Sequence, residues 1–293
     1  MFQPDLLKDQ VILITGGGTG LGKSMARRFL ELGAAVIIAS RRKNVVESSA
    51  AELAEATGGR ITGFELDVRD YRQVEEVIQR SVETFSTITG LVNNAAGNFI
   101  SPTERLSHKA FEVIVDIVLH GSTNCTLALG KHWLRGSTPG RILNIVTTYA
   151  STGSGYVVPS AVAKAGVLAL TRSLAVEWGA RGITMNAVAP GPFPTPGAWE
   201  RLLPPGMEEQ LIKRIPLRRA GEHQELTDLA AYLMAPQAGY INGEVITIDG
   251  GEWLQGAGEF NFMERLTPEM WQAMEEQVRK ANRRDRESSD SGS

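Results

Sequence analysis

The stretch VILITGGGTGLG, residues 11–22, joins a run of apolar residues to a turn rich in glycine. Residues 11–14 predict a strand that is buried on both faces. Residues 23–32 then repeat apolar side chains at helical spacing, which predicts a helix directly after the turn. A strand, a tight turn and a helix N-terminus together point backbone N–H groups and a helix dipole at an anion. The stretch therefore predicts a dinucleotide site, and the plainer interpretation is an ordinary glycine-rich turn.

Three glycines of this turn, Gly16, Gly20 and Gly22, have the properties that such a site needs. A glycine adopts backbone angles that a residue with a Cβ avoids, and it lets a pyrophosphate approach the main chain. A glycine pattern alone is a weak signal, so the prediction depends on its place between a clear strand and a clear helix.

The composition is that of an ordinary globular chain: 293 residues, 42% hydrophobic, 22% charged, with a net charge of −3. This charge favours neither nucleic acid nor an anionic membrane as a partner. The single cysteine, Cys125, excludes an internal disulfide. We see no secretory signal, no apolar run of membrane-spanning length and no peroxisomal SKL ending, so we expect a cytoplasmic protein.

Strand and helix patterns alternate along the chain. The predicted strands are residues 11–14, 35–39, 61–66, 90–94, 141–147, 182–188 and 244–248. The predicted helices are residues 23–32, 45–57, 71–85, 111–133, 155–178, 222–234 and 267–281. This alternation predicts an α/β fold with a doubly wound, seven-stranded parallel sheet in a single domain. We expect a catalytic domain over residues 1–260, a helical extension over 261–281 and a disordered tail over 282–293.

Basic residues follow the second predicted strand. In sites of this architecture an acid near this point binds the ribose 2′-OH of NAD, whereas an arginine accommodates the 2′-phosphate of NADP. The sequence here is Ser40-Arg41-Arg42, without an acid, and this favours NADP over a merely solvated basic loop. Asp67 ends the third strand at the ligand edge of the sheet, where its carboxylate is placed to reach the adenine amino group.

Other chemistry-bearing residues are few. Ser160 and Lys164 stand one helical turn apart and so on one face. The four histidines are scattered, and we predict no metal site. The proline-rich run 189–196 is followed by a segment to residue 219 that we expect to form a cover over the site.

Four motifs together resemble the short-chain dehydrogenase/reductase family over about residues 8–251. They are T-G-x-x-x-G-x-G at residues 15–22, N-N-A-A-G at 93–97, Lys164, and Pro190-Gly191. The resemblance implies a Rossmann fold with a bound nicotinamide dinucleotide.

The chain departs from this family at three positions of the usual catalytic tetrad. Ser160 stands where the family has tyrosine, Thr147 where it has serine, and Val118 where it has asparagine. Only Lys164 remains. A serine hydroxyl is too weak an acid to protonate a carbonyl in the tyrosine's place, so the chain is either inactive or performs different chemistry.

A particular branch of the family explains the departures. Tyr149, Ser160 and Lys164, with Asn98 after the N-N-A-A-G motif, resemble the mitochondrial-type 2,4-dienoyl-CoA reductases. The resemblance implies transfer of hydride from NADPH to C5 of a 2,4-dienoyl-CoA and formation of a 3-enoyl-CoA. Tyr149 and Asn98 would then stabilise a dienolate oxyanion, Lys164 would bind the nicotinamide ribose, and Ser160 would support Tyr149 or the cofactor.

The resemblance also assigns binding residues and an assembly. The expected cofactor contacts are Thr15, Gly16, Gly18, Thr19, Gly20, Leu21, Gly22, Ser40, Arg41, Arg42, Asp67, Val68, Asn94, Ala95, Lys164, Pro190, Gly191 and Phe193. The expected contacts of the acyl-CoA substrate are Arg69, Asn98, Phe99, Ser107, Tyr149 and Arg201. A homotetramer is expected to form on the long helices at 111–133 and 155–178.

Two other functions remain open at this point. The first is a reductase of the same fold that acts on another enoyl-CoA. The second is a non-catalytic NADP-binding sensor or scaffold, although joint retention of Asn98, Tyr149 and Lys164 is not required for binding alone.

Overall fold

The computed structural model describes residues 2–195 and 206–290 and contains one seven-stranded sheet. Its strands are β1 (Val11–Thr15), β2 (Ala35–Ser40), β3 (Ile61–Glu65), β4 (Gly90–Asn93), β5 (Gly140–Ile145), β6 (Ile183–Pro190) and β7 (Val245–Ile248). They lie in the order β3-β2-β1-β4-β5-β6-β7, and each pair of neighbours is parallel. The predicted doubly wound α/β fold is confirmed.

Helices cover the faces of this sheet or follow it in the chain. They are α1 (Gly20–Glu31), α2 (Lys43–Thr57), α3 (Tyr71–Phe85), α4 (His108–Val115), α5 (Gly121–Gly136), α6 (Tyr149–Thr152), α7 (Val158–Gly179), α8 (Glu208–Arg214), α9 (His223–Met234), α10 (Glu252–Ala257) and α11 (Pro268–Asp290). Most bounds agree with the sequence prediction within three residues, because the apolar periodicity of each segment matches the face that it buries.

The core has two layers, one on each side of the sheet. Successive side chains of a strand point to opposite faces, and β1 shows this directly. Ile12 and Ile14 pack in a cluster with α1 and α9, whereas Val11 and Leu13 pack in a second cluster with α3 and α5. All four side chains are buried, as the unbroken apolar run of β1 predicts.

The strand order reverses beside β1. The chain passes from β1 outward to β2 and β3, then returns to β4 on the other side of β1. The helices that follow β1 and β4 therefore lie on opposite faces, which leaves a crevice at the carboxyl ends of these two strands. This crevice is where a doubly wound sheet binds its ligand.

The long helix predicted at residues 111–133 is interrupted. It begins earlier, at His108, and a π-helical turn at Asp116–His120 separates α4 from α5. Ser107 caps its start, since the Ser107 Oγ accepts a hydrogen bond from the Ala110 amide at 3.2 Å. The sequence pattern predicts one continuous helix over residues 111–133, so it does not reveal the π turn.

The helical stretch His108–Gly136 is also long and apolar enough to cross a membrane by length and composition, with a mean hydropathy of 1.3. The sequence analysis expects no run of this kind. Half of that apolar window is buried inside the protein, and Leu129 and Trp133 are fully buried in the core. Its apolar character is therefore used in packing against the sheet.

The chain divides into two compact units, Met1–Gly251 and Glu252–Ser293. The second unit contains α10, a 3₁₀ turn at Asn261–Arg265 and α11. Helix α11 runs to Asp290, whereas the sequence predicts its end at residue 281. A mixed-charge sequence can continue a helix through ion pairs four residues apart, as Glu275 and Arg279 show at 3.3 Å. The boundary at 260 and the disordered tail stay predictions.

Candidate active site

The glycine-rich turn lies against the end of β4. Gly16 and Gly20 have φ angles of +66° and +53°, in the left-handed region that favours glycine. A Cβ at Gly22 would overlap the Gly16 carbonyl and the Asn94 amide group. Asn94 Nδ2 donates to the carbonyl oxygens of Thr15 and Gly16, at 3.0 and 3.3 Å. The turn therefore holds its shape through close backbone contact with the N-N-A-A-G motif.

Thr15 has a structural role in this contact. Its hydroxyl oxygen is buried and accepts hydrogen bonds from the backbone amides of Asn94 and Ala95, both at 3.0 Å. These two bonds tie the carboxyl ends of β1 and β4 together. The Thr15 side chain is thus engaged with protein, and it does not line the cavity described next.

A cavity of about 570 Å³ lies at the carboxyl ends of the central strands. Most of the predicted cofactor residues line it: Gly16, Gly18, Thr19, Gly20, Leu21, Gly22, Ser40, Arg41, Arg42, Asp67, Val68, Asn94, Ala95 and Phe193. Four others, Thr15, Lys164, Pro190 and Gly191, are not part of its lining. The structure thus brings the glycine turn and the basic loop after β2 to one cavity, as a dinucleotide site requires.

Sequence reasoning missed five lining residues: Ala39, Leu66, Ala96, Ile117 and Thr195. Four of them stand one or two positions from a predicted contact, so the ends of β2 and β3 and the motifs themselves contain the signal. Ile117 belongs to the π-helical turn. No sequence pattern that we used identifies it, because its exposure to the cavity depends on that turn.

The basic end of the cavity holds an ion pair. Arg69 binds the Asp67 carboxylate with two groups, Nη2 at 2.5 Å from Oδ2 and Nε at 2.9 Å from Oδ1. This side-chain hydrogen bonding lowers the pKa of Asp67, and the charge of Arg41 acts in the same direction. Asp67 is therefore a carboxylate. Arg69, which the sequence analysis assigns to the substrate, faces Asp67 in this structure.

Tyr149, Asn98 and Ser160 form a hydrogen-bonded cluster. Asn98 Nδ2 donates to Tyr149 Oη at 3.3 Å, and the Tyr149 and Ser160 hydroxyl oxygens are 3.1 Å apart. Asn98 follows β4, Tyr149 follows the neighbouring strand β5, and Ser160 lies in the first turn of α7. The structure therefore brings together three of the four predicted catalytic residues, although 51 residues separate Asn98 from Tyr149 in the chain.

The Asn98 side chain is fixed by a hydrogen bond from the backbone of its own loop. The Asn98 Oδ1 accepts a hydrogen bond from the Phe99 amide at 2.9 Å, which leaves the Nδ2 group directed at Tyr149. Ser160 is 2% exposed, so its hydroxyl is fixed within the protein. A donor group held in this way has a fixed direction before any ligand binds.

Lys164 lies one turn further along α7 than Ser160 and is buried. Its Nζ donates a hydrogen bond to the Ile145 carbonyl at the end of β5. Burial lowers the pKa of Lys164 from 10.5 to about 8, since desolvation disfavours the ammonium form. Lys164 is thus a cation at neutral pH that a modest rise in pH neutralises.

A buried polar network fixes the strand ends from which these loops depart. Asn93 Nδ2 donates to Thr126 Oγ1 at 2.9 Å and to Asn144 Oδ1 at 2.8 Å. Asn144 Nδ2 in turn donates to Thr171 Oγ1 at 2.8 Å. All four residues are buried. The network connects β4 and β5 to α5 and α7, so the positions of Asn94 and Tyr149 depend on it.

Val118 and Thr147, two of the three altered family positions, differ in their surroundings. Val118 is fully buried among apolar side chains. The Thr147 hydroxyl is buried and has no hydrogen-bond partner among the described residues. Val118 is thus a packing residue, whereas the Thr147 hydroxyl remains available for a hydrogen bond.

The remaining predicted substrate residues are not all collected at one place. Phe99 is half-buried and packs against the apolar cluster of Val118 and α7. Ser107 is exposed and lines a separate shallow pocket with Thr103, Leu106, His108, Phe111 and Glu112. Arg201 lies outside the described residues. Among the described residues, no group of three or more histidine, cysteine or acidic side chains is placed to hold a metal.

Comparison with known proteins gives the class to which this fold and site belong. A family model described as Enoyl-(Acyl carrier protein) reductase matches residues 16–252. A solved short-chain dehydrogenase from Bacillus anthracis has a TM-score of 0.77 and 43% identity, with 84% of this chain and 97% of that chain covered. The chain belongs to the short-chain dehydrogenase/reductase family, whose members use a nicotinamide cofactor.

Relatives narrow the class further. A probable 2,4-dienoyl-CoA reductase 3, (3E)-enoyl-CoA-producing, of Caenorhabditis elegans is 40% identical over 93% of this chain and 90% of its own length. A probable 2,4-dienoyl-CoA reductase, (2E)-enoyl-CoA-producing, of Bacillus subtilis strain 168 is 41% identical over 85% of this chain and 98% of its own. The predicted resemblance to the 2,4-dienoyl-CoA reductase branch is confirmed.

Proposed function

We propose that this protein is an NADPH-dependent reductase of 2,4-dienoyl-CoA thioesters and that it forms a 3-enoyl-CoA. The observation that carries the proposal is the cluster of Asn98, Tyr149 and Ser160. It stands at the same carboxyl edge of the sheet as the dinucleotide cavity, and it replaces the usual tyrosine of the family. The names of the relatives support the same reaction class.

The cavity suits a dinucleotide phosphorylated at the 2′ position. Its glycine turn offers backbone N–H groups at the N-terminus of α1, and Arg41 and Arg42 stand at its other end without a competing acid on the same loop. When bound, the cofactor supplies the hydride. Asp67 is occupied by Arg69, so the charge that Arg41 presents to a phosphate is not cancelled by a free carboxylate.

The cluster is suited to hold an oxyanion. Tyr149 Oη accepts from Asn98, and it can also accept from the Ser160 hydroxyl, which leaves the phenol proton free to donate to a thioester oxygen. Asn98 Nδ2 has a second N–H that can donate to the same oxygen. Reduction at C5 moves charge to this oxygen as a dienolate, and two fixed donors stabilise that charge.

Lys164 supplies positive potential to the same site. Its ammonium group is buried and is held by the Ile145 carbonyl, so it is poorly screened by solvent. We assign it to the ribose hydroxyls of the nicotinamide nucleotide. In that place its charge also favours a developing anion. No proton transfer from Lys164 is needed, because the thioester oxygen is stabilised rather than protonated.

The product is decided by where the dienolate takes its proton. Protonation at C2 gives a 3-enoyl-CoA and protonation at C4 gives a 2-enoyl-CoA, and both product names occur among the relatives. The donors Tyr149 and Asn98 face the thioester oxygen in our assignment, and water then protonates C2, next to the thioester carbonyl. We therefore assign the 3-enoyl product.

The CoA part of the substrate carries phosphates, for which Arg201 is our candidate, with Phe99 and Ser107 at the entrance. The sequence also assigns Arg69 to CoA, but its side chain pairs with Asp67 at the cofactor end instead.

We further propose a homotetramer, assembled on the α4–α5 helix and on α7. Val162 and Val176 are exposed on α7, at 49% and 84%, and fit such an interface. Light scattering of the purified protein measures the assembly, and a monomer would reject it.

One assay tests the reaction. The purified chain is mixed with NADPH and hexadienoyl-CoA in D₂O, and the product is analysed by NMR. We expect NADPH oxidation with one deuterium at C2 and a double bond at C3–C4. Oxidation of NADPH by a 2-enoyl-CoA but not by the diene would favour a reductase of other enoyl-CoA thioesters. Absence of turnover with either thioester would favour a binding protein.

A further inference from the structure

A histidine outside the predicted site connects helix α1 to the segment that follows β6. His223 is the first residue of α9, and its Nδ1 lies 2.7 Å from Ser24 Oγ in α1. Its Nε2 lies 2.7 Å from the Pro194 carbonyl oxygen. Since a carbonyl oxygen only accepts, Nε2 carries a proton. Nδ1 accepts from Ser24 in the neutral ring or donates to it in the charged ring, so the bridge exists in both states.

The segment that His223 holds, residues 192–195, belongs to the cavity. Phe193 and Thr195 line it. A Cβ on Gly20, in the glycine turn, would lie 3.4 Å from the Thr195 methyl group, so Thr195 is seated on that turn. The segment therefore crosses the wall of the cavity where the pyrophosphate of a dinucleotide would approach the backbone of the turn.

The start of α9 holds this segment at two further points. The Gly221 amide donates to the Pro192 carbonyl at 2.9 Å. A Cβ on Gly221 would overlap the Phe193 ring, so the ring lies directly against this glycine. Gly221, two residues before the start of α9, and His223, its first residue, thus act on opposite ends of the segment. Of these two residues, His223 is the one that also contacts α1.

Helix α9 is itself fixed to α1. Arg28 Nε lies 2.6 Å from Asp228 Oδ1, and this pair is only about one-fifth exposed on each side. Arg28 follows Ser24 by one helical turn in α1, and Asp228 lies near the second turn of α9. The ion pair keeps the two helices together whether or not His223 makes its own contacts. Removal of the His223 bridge should therefore loosen the Pro194 end of segment 192–195 without separating α9 from α1.

We propose that His223 is a positioning residue that holds segment 192–195 against the glycine turn and slows the release of the bound dinucleotide. The proposal rests on the dinucleotide part of the proposed function and is independent of the acyl substrate. Residues 192–195 would contribute less to binding once His223 is removed, and the dissociation rate constant would rise.

Two substitutions divide the bridge into its halves. His223→Gln places an amide N–H near the position of Nε2 and can keep the bond to Pro194, whereas His223→Asn reaches only as far as Nδ1 and can keep the bond to Ser24. We expect His223→Asn and His223→Ala to raise the Kd for NADPH about tenfold, because both lose the bond to Pro194 and one hydrogen bond is worth about 2- to 12-fold. We expect His223→Gln to stay within about threefold of the parent chain.

The measurements are the NADPH Kd by fluorescence titration and the dissociation rate by stopped-flow displacement, with the Tm of each cofactor-free variant. Gln224→Ala, the next residue of α9 and exposed, is the matched control and should change none of them. Equal Kd values for the Gln and Asn variants would overturn the proposal. A loss of affinity that is proportional to the loss of Tm across the variants would also overturn the proposal, since it indicates a merely structural role. A parent chain that binds neither NADPH nor NADH refutes the proposed function itself.

Discussion

Substitution of Tyr149 by phenylalanine removes one hydroxyl and leaves the ring. That hydroxyl is within hydrogen-bond distance of both Asn98 and Ser160. In our assignment the phenol proton is one of two donors to the dienolate oxygen. Loss of one donor of this kind costs about 10²–10³ in kcat. We therefore expect Tyr149→Phe to lower kcat by that factor, while Asn98 remains as the second donor.

Ser160→Ala provides the comparison, because serine stands where the family has its usual tyrosine. Ser160 is buried, and its hydroxyl is 3.1 Å from Tyr149 Oη, within hydrogen-bond distance. Loss of the Ser160 hydroxyl removes one hydrogen bond to Tyr149 Oη and leaves the bond from Asn98 in place. One net hydrogen bond is worth about 0.5–1.5 kcal/mol, which corresponds to about 2- to 12-fold in rate. The two variants should thus differ by about tenfold or more.

The assay is the initial rate of NADPH oxidation at saturating hexadienoyl-CoA, with the NADPH Kd of each variant measured separately. Neither substitution should change that Kd, because the cavity lining contains neither residue. A lower kcat for Ser160→Ala than for Tyr149→Phe would refute the reasoning and return the chemistry to position 160. Ser160→Tyr should confer no ketone reduction unless the Thr147 hydroxyl also contributes.

Three further predictions concern the cofactor, the lysine and the backbone. Arg41→Ala should raise the KM for NADPH strongly and leave that for NADH unchanged, whereas equal effects on the two cofactors would contradict a 2′-phosphate contact. The kcat/KM for NADPH should fall above about pH 8, where Lys164 loses its charge. The pH profile of Lys164→Met should lack this fall. Tyr156 is 64% exposed and has a φ angle of +65°, a left-handed conformation that is strained for a residue with a Cβ. Tyr156→Gly should therefore raise the free energy of unfolding, measured in urea, by about 0.5–1 kcal/mol. Tyr156→Ala keeps a Cβ and should not raise it.

Much of the fold follows from local pattern. Strands such as β1 and β2 are short apolar runs, and helices such as α1 and α3 bury a stripe at helical spacing, so these elements can be predicted from one sequence. The right-handed crossover rule limits the strand orders that such an alternation can adopt, but the observed order comes from the structure. The π turn at Asp116–His120 and the extension of α11 to Asp290 do not follow, since both depend on a balance of backbone hydrogen bonds that residue type alone does not set.

The site is predictable to a different degree at its two ends. The glycine turn and the basic loop are each one short continuous segment that follows a strand, so their joint lining of a cavity could be expected. The pairing of Arg69 with Asp67 could not be expected in this way. An arginine two residues from an aspartate can bind either that aspartate or a ligand. The bridge of His223 joins residues that are 199 positions apart in the chain, and no spacing rule indicates such a contact.

The placement of the phenol distinguishes two kinds of carbonyl chemistry. An acid that completes ketone reduction must give up its proton, and a lysine one helical turn away assists that loss. A donor that holds a dienolate must keep its proton, so its coupling to the lysine is not required. In this chain Ser160, and not a phenol, lies one turn from Lys164, and Tyr149 reaches Ser160 from the end of β5. The lysine can therefore serve the cofactor while the phenol and Asn98 serve the thioester. A single exchange at position 160 leaves this division in place, which is why a phenol restored there should not by itself restore ketone reduction.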